Sequence, residues 1–289
     1  MTAAALPSAP PRSRRRWKQP SILPGFPLAM GWTLTWLGLI VVLPLTALIL
    51  RPWELGVGGV WATLTEPRVL AALRLSFGAA ALAALTNLPL GLLVAWTLTR
   101  YEFPGRRIVD AIVDLPFALP TAVAGIALTA LYAPTGPLGA PLAAAGIQVA
   151  YTPVGIYLAL MFIGLPFVVR TVQPVLQDLD REVEEAAQTL GATHLQRFAL
   201  VILPAVLPAL ISGFSLAFAR AVGEYGSVIF IAGNMPLKSE IAPLLIVIKL
   251  EQYDYAGAAA VGLAMLVISF GALLAVNGLQ LLLARRGRA

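Results

Sequence analysis

Residues 75–99 read LSFGAAALAALTNLPLGLLVAWTLT, twenty-five residues without one Asp, Glu, Lys or Arg. A helix of ~20 apolar residues crosses the ~30 Å hydrocarbon core of a bilayer, so this stretch is long enough to span. Working outward, similar uncharged runs occupy Ser21–Leu50, Leu115–Val169, Phe198–Ala219 and Tyr255–Ala284. Together the five runs fill more than half of the chain. The run from Leu115 is too long for one crossing, and the turn-rich segment Ala133–Pro141, APTGPLGAP, divides it. Six spans follow, near 28–50, 74–99, 110–132, 152–175, 203–232 and 256–283. Backbone groups in lipid must bond within their own segment, so each is predicted as a helix. The expected fold class is therefore an all-α polytopic membrane protein with about six transmembrane helices.

Composition agrees and excludes alternatives. Hydrophobic residues make up 59% of 289, charged residues 12%, and mean hydropathy is +0.84, far from a water-soluble globule. The net charge of +6 is spread too thinly for a nucleic-acid binder or a disordered chain. There is no Cys, so neither a disulfide framework nor a thiolate site exists, and the single His194 excludes a multi-histidine metal site. An integral-membrane enzyme would need titratable groups converging in a cavity, and few acids fall within the spans. No Gly-x-x-x-x-Gly-Lys-Ser/Thr phosphate loop is present.

Charge placement sets an orientation. With the N-terminus inside, the inner segments carry Arg12, Arg14, Arg15, Arg16, Lys18, Arg100, Arg106, Arg107, Arg170, Arg181, Arg197, Arg285, Arg286 and Arg288. The outer ones carry only Arg51, Arg68, Arg74, Lys238 and Lys249. The positive-inside bias puts both termini in the cytoplasm. Residues 1–20, rich in Pro, Ser and Arg, read as a basic cytoplasmic arm that is disordered or lies on anionic headgroups. The first apolar stretch is too long for a signal peptide and lacks a small-residue cleavage pattern, so it reads as a retained helix. The membrane-embedded body then covers 21–284 and a short cytoplasmic tail 285–289.

One long polar insertion interrupts this pattern, between spans four and five. It holds Asp178, Asp180, Glu182, Glu184 and Glu185. Val183–Leu190 consists of good helix formers and Gly191 supplies the stop. A second amphipathic piece runs through Leu195 and Phe198 to Leu203-Pro204, where Pro is expected to interrupt the helix. Small Ala186 and Ala187 permit close approach, and Leu190 and Phe198 are apolar anchors for a partner's groove; a plain solvated connection is the competing reading.

The spacing Glu185-Ala186-Ala187, three residues, Gly191, nine residues, Val201, one residue, Leu203-Pro204 resembles the EAA motif of ABC importer permeases, with Val201 where that family has Ile. Further segments narrow the likeness: Thr99–Arg106 (TRYEFPGR), Asp114–Gly125 (DLPFALPTAVAG), Arg170–Leu176 (RTVQPVL) and Gly223–Asn234 (GEYGSVIFIAGN). These are similar to the sulfate/thiosulfate permeases, specifically the T subunit that pairs with a W subunit. The molybdate permeases share several of them, and a molybdate or tungstate permease is the alternative. The similarity runs from about Leu23 to Gln280. It implies a type I ABC importer permease fold in the inner (plasma) membrane and a coupling segment over 178–204. It also implies a second permease subunit, an ABC ATPase dimer that binds ATP and Mg, and a periplasmic or lipid-anchored sulfate/thiosulfate-binding protein. The chain itself carries no cofactor in this reading and is not an enzyme.

Candidate pore or gate residues come from both sources. Pro116 and Pro120 lie four apart, which on one helix would share a face and kink it, with Thr121 as a polar contact. Arg220 and Glu224, at i and i+4, can pair on a helix face. Ionisable groups inside a bilayer face a cavity or a partner, so the pair is either structural or offers Arg220 to a passing oxyanion. Gly223, Tyr225 and Gly226 surround it. Asp110 and Asp114 need a basic partner, for which Arg106, Arg107 and Arg170 compete. The apolar run Ile241–Ile248 is too short to span and reads as an outer-interface or partner-facing segment.

Overall fold

The structure, a computed structural model, describes residues 25–286. The basic arm 1–20 and most of the tail 285–289 therefore lie outside the described residues. The chain forms two compact units divided between Ala47 and Leu48. In the first, α1 (Phe26–Leu37) passes through a π turn, Gly38–Val42, into α2 (Leu43–Leu50), whose end belongs to the second unit. Leu43 donates to Gly38, five residues back. The widened turn accommodates Pro44, which lacks a backbone donor.

In the second unit a 3₁₀ turn, Arg51–Leu55, leads to α3 (Gly56–Thr65), α4 (Pro67–Arg100) and α5 (Arg106–Val113). Two short helices, α6 (Leu115–Ala118) and α7 (Thr121–Tyr132), precede α8 (Gly139–Ala144) and the long α9 (Pro153–Asp178). Then come α10 (Arg181–Thr189), α11 (His194–Arg197), a second π turn (Phe198–Ile202), α12 (Leu203–Val222), α13 (Val228–Ile231), α14 (Ala242–Glu251) and α15 (Tyr255–Arg286).

Helices α4, α9 and α12 pack on one another and form the core. Lipid offers no hydrophobic drive for helix association, so close van der Waals contact must supply it, and small residues make that possible. Most of the buried residues of α4 are accordingly small: Ala72, Ser76, Ala79, Ala80, Ala83, Ala84, Gly91 and Ala95. A Cβ on Gly91 would sit 2.6 Å from Val168 Cγ1, and one on Gly213 would sit 3.0 Å from Val168 Cα. Both neighbours of α9 thus close on it at the same level. Buried Asn87 of α4 donates its amide to the Met161 carbonyl of α9 at 3.0 Å.

Among the described residues, five helical runs are long and apolar enough to cross a membrane: Phe26–Thr65, Pro67–Arg100, Pro153–Asp178, His194–Val222 and Tyr255–Gly278. Three expectations change. The span predicted at 110–132 is not one helix but α5, α6 and α7, broken at Asp114 and again at Leu119–Pro120. Leu119 precedes a proline, is pushed to an extended conformation (ψ 136°) and ends α6. Pro116 and Pro120 therefore start helices, where a missing N–H costs nothing, and do not share a kinked face. The span predicted at 203–232 stops at Val222, because Gly223–Ser227 is not helical. Pro204 does not interrupt the chain before it: Leu203 donates to Phe198 across the π turn, and the helical run from His194 continues through. Both π turns precede a Leu-Pro pair, for the same reason.

The apolar run Ile241–Ile248 becomes α14. It packs Ala242 and Leu245 with Val69, Ala72 and Val261 of α4 and α15, so this face of it is spent on the chain's own core.

Candidate functional site

The polar insertion folds as a short helix with both ends satisfied. Asp180 caps α10, its carboxylate accepting from the Glu182 amide at 3.0 Å. At the other end the Gly191 amide donates to Gln188 and the Ala192 amide to Ala187, at 2.9 and 3.0 Å. These two bonds require a left-handed residue between them, and Gly191 supplies it with φ +83°. Thr193 and Gln196 then form a reciprocal capping box for α11, and Arg197 donates back to Gln188 at 2.9 Å. The result is a hairpin of two helical pieces.

Its outward surface is partly what the sequence suggested. Glu185 and Ala186 are exposed and Ala187 half-buried. Leu190 is 88% exposed, more than any other large apolar side chain among the described residues. Phe198, by contrast, packs against the chain's own core, as do Val201's neighbour Ile202 and the side chain of Leu203. Leu195, which sequence reasoning did not rank as an anchor, is also exposed.

A second constellation gathers where α7 meets the break after α12. A Cβ on Gly125 would lie 2.3 Å from the Ser227 carbonyl oxygen, and one on Gly226 would lie 2.3 Å from Thr121 Oγ1. Two glycines thus let the broken third segment and the Gly223–Ser227 turn touch backbone to backbone. Glu224 is buried there, its side chain 2% exposed. One carboxylate oxygen accepts from Arg220, and the other from the Ser227 amide and hydroxyl at 2.9 and 3.0 Å. The predicted pair forms, but around the end of α12 and not along a helix face. Arg220 remains 36% exposed. Gly223 has open space around it, and Tyr225 packs against the core. Pro120 caps α7 one residue before Thr121. Pro116 lies in α6, where Phe117 meets Phe167 of α9 edge-on at 5.0 Å.

Arg170 wins the competition for the two aspartates. Its Nε and Nη2 donate to the Asp114 carboxylate at 2.8 and 2.6 Å, and Nη1 donates to Asp110 Oδ1 at 2.7 Å and Gln173 Oε1 at 2.6 Å. The planar fork satisfies both acids at once and fastens α5 and α6 to α9.

Three links escaped the sequence reading because each joins residues far apart in the chain. Arg100, at the end of α4, donates to Glu184 of α10. Arg68, at the other end of α4, forms two bonds to buried Glu240, 2.8 and 2.7 Å. Ser76 Oγ accepts from the Ala242 amide at 2.8 Å. Nothing local marks these partners, although unpaired charges bordering apolar runs were a sign that partners had to exist. Among the described residues, no group of three or more His, Asp or Glu is placed to hold a metal ion.

Comparison with known proteins covers most of this architecture. The family described as binding-protein-dependent transport system inner membrane component matches residues 87–289. The sulfate transport system permease protein CysT of Salmonella typhimurium is 49% identical over 265 residues, 92% of this chain and 96% of its own length. The CysT protein of Escherichia coli is 47% identical over the same shares. Among solved structures, a bacterial alginate ABC transporter in complex with an alginate pentasaccharide-bound periplasmic protein superposes with a TM-score of 0.72. It does so at 17% identity, over 88% of this chain and 92% of that one, which establishes the fold.

Proposed function

The chain belongs to the family of binding-protein-dependent transport system inner membrane components, and from that footing we propose that it forms half of the translocation pathway of an ABC importer for sulfate. It is a permease subunit: the ATP-hydrolysing chemistry belongs to separate subunits, which bind ATP and Mg. The observation that carries the sulfate assignment is the likeness to sulfate permeases, at nearly half of all positions and over almost the whole length. The relatives named above are sulfate permeases, which favours sulfate over the molybdate reading.

In this proposal the hairpin over 178–204 lies in the cytoplasm, both termini with it, and α10 docks in a cleft of the ATPase. Glu185, Ala186 and Ala187 form the close-contact face, Leu190 is the apolar anchor, and Gly191 holds the turn. Val201, Leu203 and Pro204 join the hairpin to α12, with Phe198 packed beneath it. ATP-driven closure of the ATPase dimer pulls the docked hairpin and swings the pathway outward. A periplasmic or lipid-anchored binding protein then delivers the anion, and hydrolysis resets the gate. A second, W-type permease subunit supplies the other half of the pathway.

The gate is assigned to Pro116, Pro120, Thr121, Arg220, Gly223, Glu224, Tyr225 and Gly226. A half-exposed guanidinium in a spanning helix does not face hydrocarbon, so Arg220 faces either the pathway or the partner permease. Glu224 neutralises it, which leaves hydrogen-bond donors without a net charge. Such a site passes a dianion and does not trap it. The test is complementation: a strain lacking its sulfate permease should regain growth on sulfate as sole sulfur source when this chain and its partners are supplied. Restored molybdate-dependent activity without sulfate growth would overturn the assignment.

A further inference from the structure

We propose that α4 is the strut that carries motion of the docking hairpin to the opposite face of the membrane, and that Arg100 is the positioning residue at its inner joint. The inference rests on the docking role given above to α10.

The first observation is how α10 is held. It packs on α11 and the Phe198–Ile202 turn, which belong to the same hairpin. Among the described residues, the ion pair that ties it to a spanning helix outside that hairpin is Arg100–Glu184. Both side chains are largely buried, 11% and 19% exposed, which protects the pair from the screening that weakens surface pairs. The Trp96 ring, one turn back on α4, lies 5.5 Å from the Arg100 guanidinium and restricts it by cation–π contact. An arginine fixed in this way transmits displacement, because less freedom has to be frozen when α10 moves.

The second observation is what α4 does beyond the joint. It is one helix of 34 residues, about 50 Å at 1.5 Å per residue. Its single interior proline, Pro89, is a point where a helix bends. Here α9 splints it on both sides. Thr86 Oγ1 accepts from the Tyr157 hydroxyl at 2.8 Å, Asn87 donates to Met161, and Gly91 abuts Val168. At the far end, Arg68 grips buried Glu240 with two bonds, next to α14. The helix is therefore pinned by an ion pair at each end and stiffened at its weak point.

The third observation is room to move. Beside the joint, between the ends of α4 and α9, is a cavity of about 550 Å³ lined by Thr99, Arg100, Leu176, Asp178 and Asp180. The buried Arg100 Nε has no acceptor in this arrangement. That unused donor, with Asp178 and the capping Asp180 in the lining of the same cavity, allows the joint to shift without releasing the charge.

The experiment uses the assembled importer with its ATPase and binding protein in liposomes. The variants are Arg100→Gln, Glu184→Gln, Arg100→Lys and the exchange Arg100→Glu with Glu184→Arg. The primary readout is the ratio of ATP hydrolysis with sulfate-loaded binding protein to that without it. Each glutamine variant should lower the ratio at least fivefold, and both the lysine variant and the exchange should recover most of it. The strut is overturned if the glutamine variants keep the ratio within twofold, if the exchange stays as low as they do, or if both fail to assemble, which marks the pair as purely structural. The substitution Leu190→Cys, cross-linked to the ATPase in the same complexes, separates the two readings. Loss of that cross-link in the otherwise unaltered complex refutes the docking role, whereas an intact cross-link with an unchanged ratio refutes only the joint.

Discussion

Gly191 offers the sharpest test of the docking hairpin. Its φ of +83° lies in the left-handed region, where an L side chain costs about 1–2 kcal/mol. No atom lies within 4 Å of the position a Cβ would take, so within this chain the cost is conformational and not a clash. At about 1 kcal/mol for alanine and about 2 kcal/mol for β-branched valine, the ratio of capped to uncapped hairpin falls roughly fivefold and thirtyfold. Asparagine tolerates left-handed backbone and should stay close to glycine despite its greater bulk. The expected order in radiolabelled sulfate uptake and in stimulated ATP hydrolysis is therefore glycine, asparagine, alanine, valine. If the partner's surface simply needs empty space at 191, the order follows size instead and asparagine falls below alanine. That result, or a valine variant transporting at the parental rate, refutes the backbone explanation.

Other consequences follow from the same geometry. Asp254 caps α15: burial pushes its carboxyl up, but the Gly257 amide at 2.9 Å and Lys249 at 3.1 Å outweigh this and hold it below the usual carboxylate range. Its stabilisation is complete above the unfolded-state pKa and is lost as pH falls through the lower folded value, so Asp254→Ala should flatten the acid limb of a melting-temperature profile and cost about 1 kcal/mol at neutral pH. Replacing Arg170 with Lys keeps the charge but loses the fork that serves Asp110 and Asp114 together; about 1 kcal/mol of stability should go, discounted for the partial exposure of all three groups, with little rescue relative to Gln in thermal unfolding. Gly125→Ala drives a methyl against the Ser227 carbonyl and should destabilise the purified complex by about 1–3 kcal/mol, whereas Gly223→Ala, which meets open space, should leave its melting temperature nearly unchanged.

The sequence was most legible where physics acts locally. Each of the five long spanning runs overlaps a span that the uncharged stretches placed, because hydrophobic length is read from the chain alone, although the first continues to Thr65 and the fourth runs from His194 to Val222. The cap at Gly191 was likewise visible from its position after a helix-forming run. The broken third segment was legible as trouble at Pro116 and Pro120 but not as its outcome: whether a proline kinks a helix or begins a new one depends on what packs alongside. Here it is α9, through Phe167, and the Gly226–Ser227 backbone. Pro204 was misread for a related reason, since a π turn absorbs it and no local pattern announces that turn.

Composition and periodicity alone determined that this chain crosses a membrane as helices, has no nucleotide loop and carries an acidic hairpin between two crossings. Those features depend on solvation and on neighbours within one turn, which the order of residues specifies directly. Which charges meet was decided only in three dimensions. Arg170 rather than Arg106 or Arg107 takes the aspartates, Arg100 reaches Glu184 and Arg68 reaches Glu240. An ion pair between distant segments depends on how closely their helices approach, and that is set by the glycines and alanines that let α4, α9 and α12 come together.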